Sequence, residues 1–298
     1  MNSVVKGHVS MLGANVMWGL MAPVAKMVMA AGIIGPLLMT DFRIVGAAVM
    51  FWLYSLICPK ETVPAADKLR LLGAALIGIV FNQGCYIFGV SHTAPGEAAV
   101  ITTTMPLWVL LLSAVVLKES ITGRKITGIV LGGCGALILV LGNLGSAAGG
   151  GNNIKGDLLV LTAQLSYACY LTFYKNFIRK YSVVTLMKWM FTFAAVVILP
   201  FSAESILSAR WQDVTPAEMA GVAYVVAGAT FVAYILVMIG QKNLRPAVVG
   251  MYNYVQPVVA TAVGIAVGLD KVTGMKIVAV AMIFWGVYLV SASRSKAR

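Results

Sequence analysis

The chain has 298 residues, of which 60% are hydrophobic and 11% are charged, and its formal net charge is +12. So few charged residues exclude a water-soluble globular protein, in which about a quarter of the residues are charged. A large positive charge is also typical of nucleic-acid-binding proteins, but the positions of the basic residues, given below, indicate a membrane protein that binds no nucleic acid.

Ten apolar stretches follow one another along the chain, each near the length of about 20 residues that a helix needs to cross a bilayer. They cover residues 8–29, 36–57, 69–91, 96–117, 124–142, 156–178, 183–201, 218–240, 246–268 and 273–292. The sequence therefore predicts an all-α integral membrane protein with ten transmembrane helices. These stretches fill so much of the chain that we expect no separate soluble domain.

The basic residues are concentrated before the first predicted helix, after every second helix and at the C-terminus. These segments hold Lys6, Lys60, Lys68, Arg70, Lys118, Arg124, Lys125, Lys175, Arg179, Lys180, Lys242, Arg245, Arg294, Lys296 and Arg298. Cytoplasmic loops of membrane proteins carry an excess of Lys and Arg, so the pattern predicts that both termini are cytoplasmic. We expect a multi-pass protein of the plasma membrane, which in a bacterium is the cytoplasmic or inner membrane.

One stretch of the first half returns in the second half. MPLWVLLLSAVVLKESITGRK, from residue 105, matches QPVVATAVGIAVGLDKVTGMK, from residue 256. Pro106 thereby corresponds to Pro257, 151 residues later, and Glu119 corresponds to Asp270. Each half holds five predicted helices, an odd number, so the second copy is expected to enter the bilayer inverted relative to the first.

The low-complexity stretch NLGSAAGGGNN falls between the fifth and sixth predicted helices and has the composition of a flexible linker. The predicted domains are a first repeat at 1–142, a Gly/Ser/Asn-rich linker at 143–155 and a second, inverted repeat at 156–298. Inverted repeats are common in secondary transporters, whose substrate site lies near the bilayer midplane between the repeats. A duplication that serves only as a passive scaffold is the alternative.

Several motifs occur in a fixed order: NVMWGL at 15–20, Arg43, TTTMPLWVLLLSAVVLKESITGRKITGIVLGGCGALIL at 102–139, and a second copy of the last motif at 252–289. In these motifs the chain resembles the EamA family of the drug/metabolite transporter superfamily, over nearly its whole length. The resemblance implies ten helices in two inverted halves, export of small metabolites, and a central cavity lined by the first four helices of each half.

Polar and aromatic side chains collect near the middle of several predicted helices. The candidate substrate-binding residues are Asn15, Trp18, Asn82, Gln83, Tyr86, Thr103, Trp108, Gln164, Tyr167, Tyr252, Asn253 and Gln256. Amide side chains are costly in hydrocarbon unless they are paired or hydrated, and aromatic side chains form the walls of small-molecule pockets. The set therefore predicts a shared polar cavity, with interhelical hydrogen bonds as the alternative for any single residue.

Pro106 and Pro257 lie near the centres of the fourth and ninth predicted helices. Proline removes a backbone donor and kinks a helix, and interruptions at matching positions of two repeats point to a transporter's binding site. We predict that both prolines are hinges, with a simple packing kink as the alternative.

Arg43, His92 and Glu97 are predicted to lie near the outer side of the membrane. Glu97 could pair with Arg43 or Lys26 as an outer gate. Alternatively, Glu97 or His92 could accept a proton during antiport, because burial raises the pKa of a carboxyl group. The third interpretation is that these side chains only extend from the interface to water.

No HExxH, GxSxG or paired-carboxylate motif is present, and the two histidines, at positions 8 and 92, lie far apart in the sequence. The sequence thus predicts no catalytic site, metal site or cofactor. It also lacks a Walker motif, which leaves transport driven by a gradient, with protons as the candidate coupling ion. The predicted function is secondary active export of small amphipathic metabolites, such as amino acids, nucleobases or drugs, by alternating access around a midplane cavity.

The alternatives to a transporter are an intramembrane enzyme, a channel and a non-transporting scaffold. The expected partners are the small-molecule substrate and the lipid bilayer, and the chain is expected to be a monomer or a weak homodimer.

Overall fold

The computed structural model describes residues 2–30, 32–92, 101–144, 154–266 and 272–293, and within these ranges the chain is α-helical without a β-strand. The helices are α1 Ser3–Ala30, α2 Pro36–Ser55, α3 Ala65–His92, α4 Met105–Val116, α5 Gly123–Leu144, α6 Ile154–Phe173, α7 Val183–Ser208, α8 Pro216–Asn243, α9 and α10 Gly274–Ala292. Helix α9 consists of Pro246–Met251 and Val255–Ala266, which are joined by a 3-10 turn at Tyr252–Tyr254.

Six of these helices, α1, α2, α3, α7, α8 and α10, are long and apolar enough to cross a membrane. Helix α4 is apolar but shorter, with 12 described residues. The all-helical chain with six candidate spans agrees with the predicted integral membrane protein. The count of ten crossings and the cytoplasmic position of the termini stay predictions.

Several helices begin at residues that satisfy the free backbone N–H groups of a first turn. Thr215 and Glu218 form a reciprocal capping box at the start of α8, with Pro216 in the first turn. The Ser182 hydroxyl accepts a hydrogen bond from the Thr185 N–H at the start of α7. These residue types are preferred at helix N-termini because their oxygens replace the missing intrahelical acceptors.

The two halves of the chain pack in the same pattern. Helix α1 packs on α8 and α9, and its counterpart α6 packs on α3 and α4. Helix α2 packs on α7, and α5 packs on α10. If each helix is replaced by its counterpart in the other half, α1 by α6, α2 by α7 and so on, the same set of helix pairs results. Most of these contacts join the first half to the second, so the core is a seam between the halves.

Helices α5 and α10 pack closely through glycines. A Cβ atom on Gly286 would lie 2.5 Å from the Gly128 carbonyl oxygen, and one on Gly135 would lie 2.6 Å from the Ala279 carbonyl oxygen. Small residues allow helix backbones to approach in this way. Gly128 and Gly132, four residues apart on α5, both lie against Gly286 and thus serve a contact between two helices of the same chain.

Helices α3 and α8 each contain a π-helical segment, at Leu76–Phe81 and at Tyr224–Val232. These segments occupy corresponding positions of the two halves. A π turn disturbs the regular ladder and leaves carbonyl groups for other donors. In α8 the indole N–H of Trp18 donates to the Ala229 oxygen (2.9 Å), and in α3 the Ser166 hydroxyl donates to the Ile77 oxygen (2.6 Å).

The helices that carry the two predicted hinges are interrupted just before each proline. The chain forms a turn at 103–104 before Pro106, and the 3-10 turn in α9 precedes Pro257. The proline ring clashes with the carbonyl of the residue four positions earlier and removes one hydrogen bond. The chain is thus interrupted just before each proline, at corresponding positions of the two halves.

The described ends of the chain lie at one end of the helix bundle. The Thr122 and Ser293 hydroxyls are 2.6 Å apart, Arg245 donates to the Ser291 oxygen (3.1 Å), and Gly7 lies against Leu244. We call this end, which holds Ser3, Glu119, Lys180 and Ser293, the basic end. Ala30 and Pro216 mark the opposite end.

Candidate functional site

A cavity of about 80 Å³ lies at the seam between the two halves. Its described walls come from α1, α2, α3, α6, α8, α9 and the segment before α4. The lining residues are Trp18, Met21, Arg43, Asn82, Gln83, Tyr86, Thr102, Gln164, Tyr167, Tyr234, Asn253 and Gln256. They combine aromatic walls with amide groups, as small-molecule sites commonly do.

The structure brings most of the sequence-predicted residues together. Eight of the predicted substrate-binding residues line the cavity, together with Arg43 from the predicted gate. The eight are Trp18, Asn82, Gln83, Tyr86, Gln164, Tyr167, Asn253 and Gln256.

Asn15 and Tyr252 do not line this cavity. Asn15 is fully buried, donates to the Met11 carbonyl (2.9 Å) and accepts a hydrogen bond from Gln256 (3.0 Å). The Tyr252 hydroxyl lies 2.7 Å from Nδ1 of His8. Asn15 thus forms the interhelical hydrogen bonds that were the alternative for such residues, and it holds the amide of a neighbour that does line the cavity.

Thr103 and Trp108 also lie outside the lining. Thr103 is buried at the break before Pro106, and Trp108 is half-buried against the hydrophobic core. Both flank the interruption of the fourth predicted helix.

Thr102, next to the predicted Thr103, also lines the cavity, whereas two other lining residues, Met21 and Tyr234, were missed as candidates. Tyr234 follows Gln83 by 151 residues, the same interval that separates Pro106 from Pro257, and Gln83 donates to its hydroxyl at 2.8 Å. The repeat interval was therefore a usable signal for Tyr234. Met21 carries no such signal, because an apolar residue in an apolar helix is not distinctive.

Aromatic rings form the walls of the cavity and continue towards the basic end. Trp18 meets Tyr167 and Tyr234 edge-on, with ring centroids 6.4 and 5.9 Å apart. From Tyr167 a row of ring contacts leads along Tyr170, Tyr174, Phe177 and Tyr181. Between Tyr167 and the basic end, α6 and the segment that follows it thus present packed rings.

Arg43 reaches the cavity wall from α2 and is only 4% exposed. Its Nε donates to the Thr230 hydroxyl (3.3 Å), which in turn donates to the Val225 carbonyl (2.7 Å) within the π-helical segment of α8. The π segment therefore supplies the oxygen that fixes Arg43.

A buried ion cluster joins the halves at the basic end. Glu119 binds Lys125 at 3.1 Å and Lys175, from the second half, at 2.9 Å. The Lys125 side chain is 1% exposed and that of Glu119 is 8% exposed. Lys118 turns the chain into the cluster with a φ of 52°, which is uncommon for a residue other than glycine.

Two effects oppose each other at Glu119. Burial raises the pKa of its carboxyl group, but the hydrogen bonds and positive charges of Lys175 and Lys125 lower the pKa more. The net pKa of Glu119 therefore lies below the ordinary value of 4.5. Glu119 is the anion of this cluster at neutral pH.

Further contacts between the halves complete the basic end. Asp67 accepts hydrogen bonds from Lys180 and from the Tyr181 hydroxyl. The Glu61 carboxylate accepts the Ser182 N–H at 3.0 and 3.1 Å. The hydrogen bond to Asp67 raises the pKa of Lys180. Charged and hydrogen-bonded groups thus tie the halves together at this end.

His92 is exposed at the last residue of α3. Glu97 lies outside the described residues, so its pairing with Arg43 or Lys26 stays a prediction. Asp270, the counterpart of Glu119, also lies outside the described residues.

Comparison with known proteins shows which family and which individual proteins this chain is similar to. The profile of the EamA-like transporter family matches residues 5–141 and again residues 154–292. The uncharacterised transporter YetK of Bacillus subtilis is 24% identical over 95% of this chain and 86% of its own. A probable amino-acid metabolite efflux pump of Salmonella typhimurium is 25% identical over 76% of this chain and 77% of its own.

One solved crystal structure has the same fold. It is 19% identical in sequence, covers 97% of this chain and 96% of its own, and superimposes with a TM-score of 0.77. At this identity the likeness concerns the fold alone.

Proposed function

Because this chain belongs to the EamA-like transporter family, we propose that it is a secondary active transporter that exports small amphipathic metabolites by alternating access. The observation that carries the proposal is the cavity at the seam, which takes polar and aromatic side chains from both halves. A site between two repeats is where secondary transporters bind their substrates.

The proposed architecture is ten transmembrane helices in two inverted repeats, at 1–142 and 156–298, joined by the linker at 143–155. The exchangeable packing of the halves supports a duplication. The basic residues at the end that holds Ser3 and Ser293 support cytoplasmic termini. The proposed location is the plasma membrane, with the chain as a monomer or a weak homodimer.

In the proposed cycle the conformation described above faces outward. The contacts of Glu119, Asp67 and Glu61 with the second half favour a closed cytoplasmic end. Because the repeats are similar, the inward-facing state would form when the halves exchange their packing, at a small difference in free energy between the two states. Pro106 and Pro257 would act as hinges, since both helices are already interrupted there.

The proposed substrate-binding residues are the eight predicted residues that line the cavity. Amino acids, nucleobases and drugs are all candidate substrates, and the relative from Salmonella typhimurium favours amino-acid metabolites. Protons are the proposed coupling ion, with Glu97 or His92 as the accepting group. Arg43 and Glu97 are the candidates for an outer gate.

The test uses the purified chain in proteoliposomes. Efflux of amino acids, nucleobases and cationic dyes is measured with and without an imposed pH gradient. The proposal expects flux of at least one class that increases with the gradient. A verified folded protein that moves none of them would favour the scaffold interpretation.

The coupling assignment has its own variant. Glu97→Gln is expected to abolish pH-driven flux and to spare counterflow, because counterflow needs no net proton movement. His92→Gln is the matched variant for the second candidate. Unchanged pH-driven flux in both would remove the proton assignment and leave transport itself intact.

A further inference from the structure

The wall of the cavity carries one kind of charge. Of its twelve described lining residues, Arg43 is the one charged side chain. A charged group in a low-dielectric interior is costly unless a counter-charge or hydrogen bonds compensate it. Arg43 is 4% exposed, so hydration through contact with bulk water compensates little of this cost.

The partners of Arg43 within the described residues are neutral. Nε donates to the Thr230 hydroxyl, and no carboxylate of the described part lies within salt-bridge distance of 4.0 Å. A guanidinium has five N–H donors in a planar fork that matches the two oxygens of a carboxylate. Thr230 engages one of the five. Arg43 is itself one of the residues that line the cavity.

A second polar group on the wall also has bonding capacity to spare. Gln83 is 2% exposed and its Nε2 donates to Tyr234, but its Oε1 has no hydrogen-bond partner in the described structure. The amide can be turned the other way in this site, and one of its two polar atoms is then still left over. A buried polar atom without a partner is unfavourable, so a ligand that bonds to Gln83 would be stabilised.

The rings around Arg43 limit the size and charge of the ligand. Trp18, Tyr86 and Tyr234 give flat apolar faces, which suit an apolar or aromatic body. A phosphate monoester would bring about two negative charges, and the described lining offers one positive charge. A single carboxylate therefore matches the site in charge.

From these observations we propose that Arg43 binds the carboxylate of the transported molecule, and that the substrate is a small monocarboxylate with an apolar or aromatic body and a further polar group next to the carboxylate. The α-amino acids are such compounds, and the unpartnered Oε1 of Gln83 is an acceptor for their ammonium group. Arg43 holds the carboxylate in a forked pair, Gln83 bonds the neighbouring polar group, and the rings contact the body. This inference rests on the proposed transport function and narrows its substrate class.

The experiment compares acids with their own amides, so that only the carboxylate changes. Purified full-length protein in proteoliposomes is given L-phenylalanine, L-phenylalaninamide, L-leucine or L-leucinamide, with adenine and ethidium as probes without a carboxylate. Wild type is expected to transport each acid at least about tenfold better than its amide, because a hydrogen bond to a charged group adds discrimination of that order. Arg43→Gln is expected to bring the ratio of acid to amide close to one.

Two further variants separate recognition from folding. Arg43→Lys keeps the charge without the fork and should retain part of the preference for acids. Arg210→Gln is the matched control, because this arginine is 79% exposed and pairs only with Asp213 at the surface among the described residues; its ratio should equal that of wild type. A purely structural role of Arg43 would lower the flux of all probes by one factor and leave the ratio unchanged, which would overturn the proposal.

The remaining outcomes are also decisive. If wild type moves acids and amides equally, or if Arg43→Gln keeps the preference, the carboxylate assignment is wrong. Flux of adenine or ethidium alone would overturn the assignment while the transport function stands. Absence of flux for every probe would overturn both.

Discussion

In the first half of the chain, α2 carries Arg43 to the cavity wall. In the second half, the corresponding helix α7 carries Phe191 at the matching position when the Leu-Met pair at 38–39 is aligned with the Leu-Met pair at 186–187, an interval of 148 residues. Phe191 is fully buried, stacks on Phe51 with centroids 5.6 Å apart and meets Tyr234 edge-on at 5.1 Å. The backbones of the two halves thus agree in packing, in their π-helical segments and in their breaks, while the side chains at the seam differ.

This difference separates two requirements of a transporter. Exchange between two states requires halves of similar backbone and similar stability. Selection of a substrate requires a single set of polar groups, and duplicated groups would offer two competing sets. The symmetric backbone therefore fits the proposed movement, and the asymmetric pair of Arg43 and Phe191 fits the proposed selection.

The largest loss of stability is expected at the ion cluster that joins the two halves. Glu119→Gln removes the anion between Lys125 and Lys175 and leaves a lysine that is 1% exposed without its counter-charge. Loss of one partner of a buried ion pair costs about 3–5 kcal/mol. We expect a decrease of this order in the free energy of unfolding, measured by denaturant titration in detergent micelles.

Acid should act on the same cluster. Because the pKa of Glu119 is lowered in the folded protein, its contribution is fully present above the ordinary value of 4.5 and is lost as the pH falls through the folded pKa. The stability difference between wild type and Glu119→Gln should shrink accordingly. Asp213→Asn, at a half-exposed surface pair, is the control and should cost at most about 1 kcal/mol. Equal effects of the two substitutions would contradict a buried cluster.

A smaller loss of stability is expected when the packing of α5 on α10 is disturbed. The loss should be similar whether the substituted glycine lies in the first or the second half. Gly135→Ala and Gly286→Ala each place a Cβ atom against a backbone oxygen of the partner helix, at 2.6 and 2.5 Å. Such overpacking costs about 1–3 kcal/mol. Thermal unfolding in micelles should report similar losses for the two variants.

Gly84→Ala is the matched control for these glycines. It lies within α3, and a Cβ atom there meets no other atom within 4 Å. Alanine is favoured over glycine in a helix by about 1 kcal/mol, so this variant should be as stable as wild type or more stable. A large difference between the Gly135 and Gly286 variants would break the equivalence of the halves.

The smallest effect is expected on the rate of transport, when the two predicted hinge prolines are replaced. Pro106→Ala and Pro257→Ala restore one backbone donor each, which favours continuous helices at the breaks. If both breaks are hinges, each variant should slow transport on the order of tenfold while the protein stays folded. Pro216→Ala is the control, because Pro216 also lies in a first helical turn, but that turn follows the capping box of Thr215 and not an interrupted helix. Normal flux in both hinge variants would leave the prolines with a packing role only.

The helix positions could be predicted from the sequence because the length of an apolar stretch is a direct signal of a spanning helix. Errors occurred where other features decide the boundary. Helix α7 continues through Pro200 to Ser208, beyond the predicted end at residue 201. Helix α6 ends at Phe173, and a short helical turn at Lys175–Ile178 follows, where one helix to residue 178 was predicted.

The site could be predicted only in part. Amide and aromatic residues at mid-depth identified most of the cavity lining, since such residues are rare enough in an apolar chain to be informative. The π-helical segments could not be predicted, because they depend on contacts between helices that are distant in sequence. For the same reason the pairing of Glu119 with Lys175 was missed, whereas Tyr234 could have been found from the 151-residue interval to Gln83.

The inverted relation of the halves is tested most directly by cysteine accessibility. Ile121 and Val272 are exposed, 49% and 63%, and lie in corresponding turns of the two halves. In a background without Cys58, Cys85, Cys134 and Cys169, single variants Ile121→Cys and Val272→Cys are treated with a membrane-impermeant maleimide, in intact cells and in everted vesicles. The account predicts that Val272→Cys reacts only in cells and Ile121→Cys only in everted vesicles. Reaction of both from the same compartment would contradict it.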